Sequence, residues 1–82
     1  MSAPGVLLVT TTVADEHAAL ELSERVVAAR LAACAQVLGP ITSWYRWQGE
    51  VERSSEWRVE MKTSSSAAER LLEHVRAWHE YD

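Results

Sequence analysis

An α+β fold, with an antiparallel sheet carrying two helices on one face, is predicted for this chain by three observations. Trp57, Val59 and Met61 alternate strictly with Glu56, Arg58, Glu60 and Lys62, the two-residue period of a half-buried strand. Ala19, Leu22, Val26 and Ala29 recur at helical spacing, as do Ala68, Leu71, Leu72, Val75 and Trp78. Between the two helical patterns lies a long stretch of strand-like residues, broken at Gly39-Pro40 and again at Gln48-Gly49. The whole chain, residues 1–82, reads as a single domain.

Taken in order, residues 5–12 are apolar and β-branched without alternation, which predicts a central strand covered on both faces. Asp15 or its neighbour opens the first helix, with Asp15 and Glu16 placed favourably against the helix dipole, and the helix is expected to end near Arg30. Strand character returns beyond Leu31, and a bend or bulge is expected at Gly39-Pro40, where proline removes a ladder donor. The strand resumes over residues 41–47. Gln48-Gly49 then suits a two-residue hairpin turn, so the next strand is predicted antiparallel. Residues 64–66 break the pattern, and Ser66 with Glu69 fits a capping box opening the second helix.

The resulting order, strand–helix–strand–strand–helix, is five-sixths of a split βαβ, ferredoxin-like unit, βαββα(β). The final strand is missing from the pattern. In such a sheet that strand lies beside the first, so the first strand is expected to present a bare apolar edge.

Size and composition narrow the function classes. A chain of 82 residues buries only about 60–65% of the surface it exposes when unfolded, so self-association is expected to supply further buried area. Four tryptophans in so short a chain agree, since large aromatics gather where protein surfaces meet. The net charge is −4, and seven arginines and one lysine scattered among twelve acids form no basic stripe, which argues against a nucleic-acid partner. A single cysteine cannot form an internal disulfide and suits a reducing compartment. The apolar run at residues 6–9 has no basic region before it and is too short for a signal core or a membrane span, so a cytoplasmic protein without a membrane partner is expected. Glycines stand only at positions 5, 39 and 49, which leaves no phosphate loop, dinucleotide fingerprint or nucleophile elbow. Glu50, Glu52, Glu56 and Glu60 are evenly spaced carboxylates without a nucleophile to serve. No catalysis is expected.

The most specific stretch is residues 31–49. It runs Leu31-Ala32-Ala33-Cys34, then Gly39-Pro40, then Ser43-Trp44-Tyr45-Arg46-Trp47-Gln48-Gly49. Its leucine-alanine-alanine-cysteine followed by serine, tyrosine, tryptophan and glycine at these spacings resembles the divalent-cation-tolerance (CutA) family. The resemblance implies a homotrimer that binds copper or another divalent cation and contributes to the response to metal. It also implies a chain shortened at its carboxyl end, because the family continues past a histidine-proline-tyrosine turn into a fourth strand.

Two residues are candidate metal ligands. Cys34 offers a thiolate suited to copper(I), or is a small buried apolar group between alanines. His79 matches the family's histidine before the terminal tyrosine; it is a ligand completed across subunits, or a residue that caps the helix dipole. His74 and His79 stand five apart, about 140° around a helix, so they do not form a chelating pair. Tyr45, Trp47 and Lys62 match family positions and could line a cleft for a small anionic ligand; alternatively the aromatics pack at an interface and the lysine is solvated. Trp44 and Trp47 are the candidate trimer contacts. Three functional readings follow: a metal-binding trimer, a small-molecule sensor by fold analogy with the nitrogen-regulatory signalling proteins, and a purely structural trimeric module.

Overall fold

The computed structural model describes residues 5–81. Five elements follow one another: β1 (Val6–Val13), α1 (Glu16–Ala28), β2 (Cys34–Trp47), β3 (Glu50–Ser64) and α2 (Ala68–Tyr81). The sheet order is β1-β3-β2, with both pairings antiparallel, as a ferredoxin-like unit requires. β3 is therefore the strand through which the other two are joined.

The period of two in β3 decides the layers. Val59 and Met61 are fully buried under the helices, and Val9, Ala35, Val37 and Trp57 pack partly buried around them. α1 contributes Ala18, Ala19, Leu22 and Val26, and α2 contributes Leu71, Val75 and Trp78. Burying a side chain such as Leu22 or Leu71 stabilises the fold by about 1.5–3 kcal/mol each. Ala29, predicted on the buried stripe, is exposed, because α1 stops one residue before it.

β1 departs from expectation. Its sequence predicts cover on both faces, yet Val6 and Leu8 on the helix-free face are 68% and 57% exposed; that it pairs only with β3 among the described residues, leaving its other edge bare, is as expected. Unalternating apolar sequence reports what a strand is able to bury, and the described layers cover only one face of this one.

The helix ends are set locally. Asp15 caps α1 by accepting a hydrogen bond from the Ala18 amide at 2.8 Å. At the other end the Arg30 amide donates to the Val27 carbonyl and the Leu31 amide to the Val26 carbonyl, with Arg30 at φ 61°. This is a Schellman ending that carries arginine where glycine is usual. The Ser66–Glu69 capping box does not form as predicted. Ser64, the last residue of β3, instead accepts from the Ala67 amide at 3.2 Å, and the Ser66 hydroxyl bonds to that of Ser64. The chain turns directly off the strand, so the capping role falls to the serine that ends the strand.

β2 bends where predicted. Leu38 faces Arg58 and Ile41 faces Glu56, so Gly39 and Pro40 together oppose Trp57 in a one-residue bulge. The Trp57 ring lies so close over Gly39 that a Cβ there would come within 2.6 Å of it. Beyond the bulge, β2 and β3 form a two-stranded ribbon closed by Gln48 at φ 49° and Gly49 at φ 81°, a type I′ turn. The ribbon lengthens the molecule to 46 × 27 × 21 Å.

Gly39→Ala is expected to lower stability by about 1–3 kcal/mol in urea unfolding, since the Trp57 ring must shift to admit the methyl group. Arg30→Gly should raise the midpoint, by about 1 kcal/mol in equivalent stability, by relieving the left-handed conformation.

Candidate functional site

Cross-strand neighbours share a face, so the register assigns each predicted residue to a side of the sheet. Cys34 stands opposite Lys62, which in turn stands opposite Leu8; this row alternates with the buried row of Met61 and lies on the helix-free face. Cys34 is a free, half-buried thiol rather than a core residue. His79 lies on the other side, exposed in the last turn of α2, with its Nε2 2.8 Å from the Thr11 hydroxyl. Thr11 faces the buried Val59, which places it on the helix face.

Within one chain Cys34 and His79 are thus separated by the sheet and share no ion. Among the described residues no group of three histidine, cysteine or acidic side chains could hold a metal. His74 belongs to no such group, and its Nε2 is buried without a hydrogen-bond partner among the described residues. Neither candidate has companion ligands among the described residues.

The predicted cleft residues are also apart. Tyr45 faces Glu52 and Trp47 faces Glu50, whereas Lys62 lies ten positions farther along β3, about 33 Å at strand rise. The register surrounds the aromatics with carboxylates and leaves the lysine beside Cys34. A small-anion cleft built from these three side chains is not assembled in a single chain. Trp44 and Trp47 both lie in the ribbon, 66% and 59% exposed.

Two relationships had no signal in the sequence. Thr11 meets His79 across 68 positions of chain, and the Arg53 guanidinium sits 5.8 Å from the Trp44 ring centroid, a cation–π contact across the ribbon. Packing of α2 on the sheet makes the first contact and strand register the second.

A split βαβ sheet with a projecting, aromatic-rich hairpin defines a protein of the ferredoxin-like fold class. The family model of the CutA1 divalent ion tolerance protein matches residues 7–82. The chain is 38% identical over 81 residues to the divalent-cation tolerance protein CutA of Citrobacter koseri, covering 99% of this chain and 70% of that protein. It is 41% identical over 76 residues to the chloroplastic protein CutA of Arabidopsis thaliana, covering 93% of this chain but only 42% of that longer protein. Among solved structures, CutA of Synechococcus elongatus superposes with a TM-score of 0.90 at 34% identity, over 96% of this chain and 70% of that one. CutA1 of Oryza sativa gives 0.89 at 35%, over 99% and 75%. The chain belongs to the CutA1 divalent ion tolerance family.

Thr11→Val and His79→Ala are each expected to lower stability, and their double-mutant cycle to return a coupling of about 0.5–1.5 kcal/mol. A coupling of zero by chemical denaturation would show that the contact is not formed in solution.

Proposed function

We propose that this protein is a non-catalytic, metal-responsive assembly: a homotrimer that binds copper or a related divalent cation at sites completed between copies. The observation that carries the assembly is the apolar surface left uncovered on so small a chain. Trp44, Trp47 and Val51 in the ribbon and Val6 and Leu8 on β1 are each more than half exposed, more than scattered surface hydrophobics account for. The metal reading draws on the tolerance named for its relatives and on two accessible donors of different softness, the Cys34 thiol and the His79 imidazole. Among the described residues each donor lacks companion ligands on its own face of the sheet, and in this reading a second copy supplies them. A lone free thiol is in keeping with work in a reducing compartment such as the cytoplasm.

Sedimentation equilibrium should give about 28 kDa, three chains of 9.2 kDa. Calorimetric titration with copper(I) under reducing conditions, and with copper(II), should show saturable binding that weakens at least tenfold in a Cys34→Ser, His79→Ala double variant. A monomer, or unchanged copper affinity in that variant, would overturn the corresponding half of the proposal.

A further inference from the structure

An open cavity of about 400 Å³ lies at the end of the molecule away from the ribbon tip, where α1 gives way to β2 and β3 to α2. Its lining is mostly apolar, from Val27, Leu31, Ala32, Ala33 and Ala67. The hydroxyl residues Thr63 and Ser64 and one charged residue, Arg30, complete it, and among the described residues no carboxylate lines it. Small-molecule sites of this size are built the same way, apolar with a few placed polar groups. The cavity is separate from the cleft predicted around Tyr45, Trp47 and Lys62, since Thr63 is buried on the helix side of the sheet and Lys62 faces the other way.

Arg30 is the unusual member of this lining. It follows the end of α1 at φ 61°, the left-handed region that glycine adopts freely and a side chain strains. Glycine would close the same helix ending, so termination does not call for an arginine; what arginine adds is its side chain. The backbone amide serves the helix by donating to the Val27 carbonyl. The guanidinium has no ion-pair partner among the described residues, where the one such pair is Arg58 with Glu60. Strained residues gather where function holds them, and an unpaired guanidinium beside a cavity supplies such a function. The surrounding groups fix the sign of the occupant. The last carbonyls of α1 are already taken, that of Val26 by the Leu31 and Ala32 amides and that of Val27 by Arg30, so they offer a cation little. Thr63 gives its proton to the Leu31 carbonyl at 2.7 Å, which leaves Arg30 as the strong donor.

We infer that this cavity binds a small organic monocarboxylate with an apolar body, its carboxylate taken by the Arg30 guanidinium and its hydrocarbon part set against Val27, Leu31 and Ala67. A guanidinium stays protonated throughout the physiological range, and its paired N–H donors match the two oxygens of a carboxylate. One guanidinium balances one negative charge, whereas inorganic phosphate brings more charge and more oxygens than a single strong donor satisfies. The apolar lining supplies the remaining selection, because only a ligand with hydrocarbon to bury gains from it. All the residues involved belong to one chain, so the site requires neither the assembly nor the metal proposed above.

Amide chemical shifts of the isotope-labelled full chain, followed as 4-methylpentanoate is added, test the assignment. Saturable shifts are expected at Leu31, Ala33 and Ala67, with binding at least tenfold weaker for the uncharged 4-methylpentanamide, for acetate and for inorganic phosphate. Arg30→Gly should weaken 4-methylpentanoate binding at least tenfold while raising the unfolding midpoint, so that loss of binding is distinguished from loss of structure. Arg30→Lys, which keeps the charge without the paired donors, should fall between the two. The absence of saturable shifts at these residues, equal binding of the amide, or unchanged affinity in Arg30→Gly would each overturn the site. Phosphate binding more tightly than 4-methylpentanoate would overturn its assignment to an apolar carboxylate.

Discussion

Everything in this molecule is referred to β3. Among the described residues it is the one strand that pairs on both edges, with β1 along one side and β2 along the other. Its alternation sends Val59 and Met61 into the core and Glu60 and Lys62 to the helix-free face. A slip of one residue would exchange those faces and place two charged side chains beneath the helices, so burial fixes the register tightly. The α1–β2 junction is tied to the same strand, through the Thr63 hydroxyl donating to the Leu31 carbonyl at 2.7 Å and the Ala33 amide donating to the Lys62 carbonyl at 2.8 Å. Register, layer order and the entry point of β2 are thus consequences of one strand's burial.

That register also governs the chemistry. It places Cys34 and Lys62 side by side on the open face, and leaves His79 across the sheet with Thr11. The same spacing carries Tyr45 and Trp47 out along the ribbon, among glutamates and far from the only lysine. Among the described residues a single chain therefore holds these donors and aromatics without closing a site around any of them. In the assembly proposed for it, further copies would supply the complements of these surfaces.

The bulge at Gly39 and Pro40 connects the body to the ribbon. One extra residue in β2 lets Trp57 settle over a glycine backbone and keeps the odd residues of β2 opposite the glutamates of β3. Without that insertion the β2 residues beyond it would change faces, and Arg46 would join Glu50, Glu52 and Glu56 on one side of the ribbon. The full segregation of charge between the two faces depends on this single irregularity.

The elements themselves were legible in the chain because their signals are local: the alternation of residues 56–62, the Asp15 cap, the glycine turn at Gly49 and the glycine-proline break each act within a few residues. The resemblance carried by residues 31–49 was equally readable, and it named the family. Other features were not readable, because they depend on which strand lies beside which and on how far apart paired positions fall. The exposed helix-free face of β1 against its apolar sequence, the transfer of the second cap to Ser64, and the separation of Lys62 from Tyr45 and Trp47 are of this kind. The sequence by itself determined the helices, the strands and the kinship, since short-range periodicity and capping encode them. Tertiary structure alone decided which side chains share a face, because cross-strand register converts distance along the chain into neighbourhood in space.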